Sequence, residues 1–228
     1  LDNWQVSHAV RKAVYEHPAA KADMARWNAM TFVSTLLPQY EFLGRDTPPK
    51  ALEDWQGLRV RAGGGIGDAM QVLGAVPVTV PAPEVYTGLQ RGTMDAVSLP
   101  FTYSHVAYKI HEVSDWYTTN LTPGTSDCPM VFSIKAWEAL PEKYRQYIRD
   151  AEPELVRAQI EAYVVQDREN LPMLEEKLTP VTYSDQQLAE FRRQAGQPVW
   201  DRWVAENSDN FDAAGLLQLV LDEAEKVK

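Results

Sequence analysis

The 228-residue sequence predicts an α/β fold, and three observations carry that prediction. Between residues 58 and 99, short extended runs take turns with helical ones, and glycine or proline marks each join. Strand, helix, strand, helix, strand in that order implies right-handed crossovers between parallel strands. The final third, from Leu140 on, is largely helical.

Taken in order, residues 4–15 and 18–27 read as two helices broken at His17-Pro18, because proline favours a first helical turn and restricts the residue before it. Residues 30–42 are apolar and β-branched with Pro38 inside, and predict an extended segment crossing the body of the protein. The turn Asp46-Thr47-Pro48-Pro49 and a short helix at 51–55 lead into a strand at 58–62. There Leu58, Val60 and Ala62 share one face, and Arg59 and Arg61 share the other.

Gly63, Gly64 and Gly65 then form a turn, followed by a short helix at 68–73 with Gly74 just past its end. Residues 76–80 form a strand that Pro81 ends. A helix at 83–91 is stopped by Gly92, and a strand follows at 94–98. Residues 103–111 predict a helix, 114–119 an aromatic strand, 120–129 a loop, and 130–133 a return to the sheet, with Ser133 capping the helix that carries Trp137. The helical third has breaks expected near Pro153 and Pro172. After a short strand at 179–183, Ser184 and Gln187 set a capping box. Further helices run from near Pro198 to Asn207 and over 213–227.

An arginine strand running into a glycine turn and a helix N-terminus has the layout of an anion-binding corner. The guanidinium grips a carboxylate or phosphate bidentately, and the helix dipole favours negative charge. The alternative is a plain strand-to-helix turn with a solvent-facing arginine. Two cofactor readings fail on spacing. After Gly63 and Gly65 the third fingerprint glycine is replaced by Asp68, after Gly65 and Gly67 by Met70, and no Gly-Lys-Ser/Thr ends the loop. No cofactor is expected.

The formal net charge of −10 argues against nucleic acid as a partner, since phosphates need a basic face. An acidic chain that binds anions must focus positive charge locally. Cys128 is the only cysteine, so neither an intrachain disulfide nor a cysteine-rich metal site is available. With no histidine near it, Cys128 is expected as a small buried side chain lining a cleft, not a catalytic thiolate. His105 and His111 are six residues apart, too far for helical zinc pairing, and the four histidines predict surface or packing roles. No apolar run approaches the roughly 18 residues of a membrane span, so no direct membrane insertion is expected. Leu1 is not followed by a leader pattern, as in a chain whose signal peptide is removed or lies outside it.

Four stretches together resemble the substrate-binding proteins of tripartite ATP-independent periplasmic (TRAP) transporters, of the C4-dicarboxylate-binding type. They are Leu52-Glu53-Asp54-Trp55-Gln56-Gly57-Leu58-Arg59-Val60-Arg61, Leu73-Gly74-Ala75-Val76-Pro77-Val78, Glu84-Val85-Tyr86-Thr87-Gly88-Leu89-Gln90-Arg91-Gly92-Thr93-Met94-Asp95-Ala96, and Trp137-Glu138-Ala139-Leu140-Pro141. Each is weak alone, and their order and spacing are specific. The resemblance covers residues 37–163 well and the C-terminal helices loosely.

It implies a two-lobed periplasmic binding protein of type II-like α/β fold that closes on a carboxylate and passes it to membrane permease subunits. Family members begin with an N-terminal sheet, so it further implies a truncated or proteolysed first lobe. Residues 1–44 would be the lobe remnant and crossing segment, 45–130 the ligand-binding lobe, and 131–228 a mainly helical part packing across both. By the family pattern Arg61, the second basic residue of its strand, makes the ligand salt bridge.

Two departures bear on the ligand. Leu99 stands in Asp95-Ala96-Val97-Ser98-Leu99-Pro100 where the family has asparagine, and Ala82 stands where an aromatic residue is common. A second ligand carboxylate buried against Leu99 would lack a partner. The expected ligand is therefore an aromatic or aliphatic monocarboxylate, such as a 2-oxo or 2-hydroxy acid. Ser98, Leu99, Phe101 and Tyr103 would shape the wall, with Trp116 and Tyr117 as further stacking surface, and Gly63 and Gly64 would let the ligand approach the backbone. Asp127 would hold Arg61 or a ligand hydroxyl. Arg45 is either a second cation at the lobe junction or solvated. The competing class is a lyase or hydrolase acting on a carboxylate, but no nucleophile, base and orienter set is visible.

Overall fold

The structure, a computed structural model, describes residues 4–226. In chain order the elements are α1 (Trp4–Glu16), α2 (Pro18–Arg26), β1 (Ala29–Thr35), β2 (Tyr40–Gly44), β3 (Arg59–Arg61), α3 (Gly64–Val72), β4 (Val76–Val78), α4 (Val85–Gln90), β5 (Ala96–Pro100) and α5 (Tyr103–Ala107). There follow β6 (Trp116–Thr118), β7 (Cys128–Ser133), α6 (Ile134–Ala139), α7 (Glu142–Lys177), β8 (Thr179–Val181), α8 (Asp185–Phe191), α9 (Gln197–Asn207) and α10 (Ala213–Lys226). Residue 227 of the expected last helix lies outside the described residues.

The chain divides into two compact units. The first comprises Leu1–Leu37, Ser126–Ala162 and Arg202–Lys228, the second Pro38–Thr125 and Tyr163–Asp201. These bounds differ from the sequence blocks 1–44, 45–130 and 131–228, because the backbone passes between the units several times, twice inside a helix (α7 and α9).

In the first unit β1 and β7 form an antiparallel pair, from Ala29 opposite Ser133 to Thr35 opposite Cys128. Residues 130–133 thus pair with β1 and do not return to the larger sheet. Edge packing of Phe32 on Phe132, at 5.6 Å between ring centres, favours that pairing, and Phe132 also packs on Trp137 of α6 at 5.0 Å. Ser133 caps α6 by accepting from the Ala136 N–H. The extended segment around Pro38 is two strands in different units, since proline has no N–H to continue a ladder.

The second unit holds a mixed six-stranded sheet in the order β4-β3-β5-β2-β6-β8. β3 runs parallel to β4 and β5, and β6 parallel to β8, while β2 is antiparallel to both β5 and β6. Side-chain alternation builds an apolar layer on each face. Phe42, Val60, Ala96 and Trp116 join Trp55 and Met70 on one side; Leu43, Val97, Tyr117 and Leu99 join Leu89 and Ile110 on the other. Gly44 is required where it stands, because a Cβ there would meet the Trp116 ring at 2.2 Å.

Helix α7 runs unbroken through Pro153 and Pro172, against the expected breaks. An interior proline costs about 3 kcal/mol. Near Pro172 tertiary packing overrides that cost, because Leu174 is wholly buried in the second apolar layer. The expected helix at 103–111 is α5 followed by a 3-10 turn at Ile110–Val113, separated by Lys109 in left-handed conformation. The capping box of Ser184 and Gln187 starts α8, which continues through a π-helical turn into α9.

Candidate functional site

Strand β3 connects to β4 on one side of the sheet, and β5 continues toward strands on the other side. The C-terminal ends of β3 and β5 therefore flank a topological switch point, the crevice where open α/β sheets take their ligands. Arg61 ends β3 at this point and lies opposite Val97, so Ser98 and the residues after it rise beside it.

The Arg61 guanidinium is half-buried and held by backbone. Its Nε donates to the Val80 carbonyl at 3.1 Å and its Nη1 to the Ser98 carbonyl at 3.1 Å. Among the described residues no carboxylate pairs with it. Arg59, on the same strand face, is occupied. Its Nε and Nη2 grip both oxygens of Asp95 at 3.0 and 2.5 Å, which holds the Asp95 carboxyl below its ordinary value. After Arg61, Gly63 caps α3 with extended backbone and Gly64 adopts φ +53. α3 starts at Gly64, four residues earlier than expected, so its free N–H groups lie directly beyond β3. Apart from the adjoining backbone, nothing lies within 4 Å of where a Cβ on Gly63 or Gly64 would sit, so the space over the turn is open.

The other predicted site residues fall in different places. Ser98 is buried, its Oγ has no hydrogen-bond partner, and it meets Arg61 through its carbonyl. Leu99 is core, 4% exposed in the second apolar layer. Phe101 is half-buried, stacked on Tyr117 at 5.9 Å and edge-on to His105 at 6.0 Å. Tyr103, also half-buried, packs against Tyr163 of α7 at 5.2 Å.

Arg45 follows the end of β2 and donates to the Leu89 and Gln90 carbonyls at 2.8 and 3.0 Å, tying down the last turn of α4. Its N–H bonds the carbonyl of Asp95, so Arg45 lies just before the start of β5, whereas Arg61 reaches the Ser98 carbonyl in the middle of that strand. Asp127 belongs to the first unit and serves groups there: it accepts from the hydroxyls of Tyr15 and Ser34 and lies 3.8 Å from Arg11 Nε. Arg11 is itself buried and donates to the Thr35 and Ser126 carbonyls. Cys128 is exposed at the end of the β1–β7 pair, not buried in a cleft.

Two polar groupings carried no motif in the sequence. Glu41, 1% exposed, accepts from the Thr118 hydroxyl and from the N–H groups of Leu121 and Thr122 at 3.2 and 2.8 Å. Thr102, wholly buried, donates through its N–H and Oγ1 to Asp167 Oδ1 at 3.3 and 2.9 Å, and its Oγ1 accepts from Asn170 at 3.1 Å. Residue spacing along one helix signals neither grouping, because each joins segments far apart in sequence. A cleft of about 170 Å³ in the first unit, lined by Arg11, Lys12, Tyr15 and Lys21 among others, contains none of the predicted site residues. Among the described residues, no group of three or more His, Cys, Asp or Glu is placed to hold a metal ion, and no helix is long and apolar enough to cross a membrane.

An arginine and a helix N-terminus at the switch point of an α/β sheet form a corner whose chemistry suits an anion such as a carboxylate or phosphate. Residues 39–207 match the family model described as bacterial extracellular solute-binding protein, family 7 (DctP), and the chain belongs to that family. Among curated relatives, a solute-binding protein of Albidiferax ferrireducens is 25% identical over 78% of this chain and 53% of its own length. A monocarboxylate 2-oxoacid-binding periplasmic protein of a Nostoc species is 26% identical over 55% of this chain and 35% of its own. The chain thus spans about half or less of the curated relatives it matches.

Solved structures share the fold. The ectoine-binding protein of a TRAP transporter from Halomonas elongata is 20% identical with a TM-score of 0.84, covering 99% of this chain and 73% of its own. A TRAP solute-binding protein from Rhodoferax ferrireducens, solved with malonate, is 21% identical with a TM-score of 0.79, covering 96% and 70%. A marine metagenome TRAP solute-binding protein specific for aromatic acids, solved with 3-hydroxybenzoate, is 21% identical with a TM-score of 0.80, covering 99% and 71%. The fold is that of the TRAP periplasmic solute-binding proteins.

Proposed function

We propose that this protein is a periplasmic solute-binding protein, not an enzyme, that captures an organic monocarboxylate and delivers it to the permease subunits of a TRAP transporter. One observation carries the reading. Arg61 sits at the sheet's switch point, with its orientation fixed by two carbonyls and its charge uncompensated by any carboxylate among the described residues. A guanidinium held this way is preorganised for a ligand carboxylate, and the open turn at Gly63 and Gly64 puts α3 N–H groups behind the same anion.

The half-buried rings of Phe101 and Tyr103 beyond Ser98 supply an apolar body contact, which supports an aromatic or aliphatic 2-oxo or 2-hydroxy acid over a dicarboxylate. The names of two similar proteins support the same class, one binding 2-oxo monocarboxylates and the other aromatic acids. A thermal-shift screen across mono- and dicarboxylates tests it. Stabilisation by monocarboxylates is expected, and stabilisation by C4-dicarboxylates alone overturns the ligand class.

A further inference from the structure

Beyond the arginine, the second unit contains a polar knot that grips the β5–α5 corner. Thr102 is the residue gripped, and its chain neighbours Phe101 and Tyr103 are half-buried rings that follow the end of β5. The grip comes from α7. Tyr163, Asp167 and Asn170 follow one another at spacings of four and three, so they line one helix face. Tyr163 packs on Tyr103, Asp167 takes both Thr102 donors, and Asn170, 7% exposed, donates to the same hydroxyl. Ser98, whose carbonyl orients Arg61, is on β5 three residues before Phe101, which lies just past the strand's end. The carboxylate grip and the aromatic rings are thus fixed to one another through a single strand end.

We propose that Asp167 and Asn170 are positioning residues that set the specificity of the carboxylate site by locking the Phe101 and Tyr103 rings in place through Thr102. This rests on the carboxylate-binding reading above. A stacking surface discriminates by ring geometry, so a rigid corner favours ligands with a flat aromatic body. A small acid such as pyruvate depends on Arg61 and not on the rings. Removing the grip therefore weakens aromatic acids selectively, whereas a residue that only stabilised the fold would weaken all ligands alike or none.

The test is calorimetric titration of benzoate and pyruvate against the wild type, Asp167→Leu and Asp167→Asn. Asp167→Leu is expected to lose about tenfold in benzoate affinity, the scale of one aromatic contact, with pyruvate within about twofold. Asp167→Asn retains an oxygen that accepts from Thr102 and is expected to restore most of the benzoate to pyruvate ratio. If Asp167→Leu does not fold, Thr102→Val, which keeps side-chain shape and removes the hydroxyl, is expected to lower the same ratio. An unchanged ratio in a folded variant overturns the positioning role while leaving the carboxylate reading intact. A wild type that binds no carboxylate overturns both.

Discussion

Nη1 of Arg61 donates to the carbonyl of Ser98 at 3.1 Å, joining the C-terminal end of β3 to the middle of the parallel strand β5 across the switch point. That bond, with the one from Nε to Val80, leaves the guanidinium oriented but electrically unspent. Arg59, two residues earlier, has the same side chain and the opposite situation.

Because Arg59 is bound to Asp95 by a two-point ion pair, Arg59→Ala is expected to leave carboxylate affinity within about twofold of wild type. Its effect on stability is expected to be small, since the pair is partly solvated. Calorimetric titration with a monocarboxylate checks it, and a loss comparable to that of an Arg61 variant would assign the grip to the wrong arginine.

Asp127 is expected to matter for folding and not for ligand. Removing it strips the acceptor from Ser34 and Tyr15 and the ion partner from buried Arg11. Asp127→Ala should therefore destabilise by about 1–3 kcal/mol in urea unfolding with affinity unchanged. A variant of normal stability that no longer binds would contradict this placement.

Glu41 satisfies the Leu121 and Thr122 N–H groups and the Thr118 hydroxyl from a buried position. Glu41→Gln replaces one accepting oxygen with a donor that faces these donors. The expected loss is about 2 kcal/mol, read as a lower urea midpoint. An unchanged midpoint would contradict it.

His105 gives the protein an acid limit. Burial pushes its pKa from 6.5 down to about 3, and the nearby Val97 and Glu41 carbonyls offset that only in part. Above 6.5 the ring is neutral in both folded and unfolded chains and contributes no pH dependence. Between 6.5 and about 3 the unfolded chain takes up a proton that the folded chain refuses, so stability falls as pH falls. The slope is about 1.4 kcal/mol per pH unit, or roughly 2 kcal/mol between pH 7 and 5. His105→Leu is expected to lose that component of the slope. An unchanged slope would mean that His105 does not set it.

Much of the fold was legible in the sequence because its signals are local. The alternation in residues 58–62, the glycine and proline punctuation to Leu99, and the capping residues Ser133 and Ser184 each act within a few positions. What the sequence hid depends on partners far along the chain. Pro153 and Pro172 read as helix breaks, but near Pro172 the burial of Leu174 decides the helix. Residues 130–133 read as part of the larger sheet because nothing local marks β1 as their partner.

The site divides the same way. The glycines mark the corner around Arg61, whereas only tertiary contacts show that Arg45 ties down α4, that Asp127 serves Arg11, and that Leu99 is core.

The proposed function depends first on the Arg61 guanidinium holding a ligand carboxylate. Calorimetric titration of wild type, Arg61→Ala and Arg61→Lys against a panel of monocarboxylates tests it most directly. Saturable binding is expected in the wild type, with loss of at least about 100-fold in Arg61→Ala and partial retention in Arg61→Lys, which keeps the charge but loses the planar fork. Unchanged affinity in a folded Arg61→Ala would contradict it.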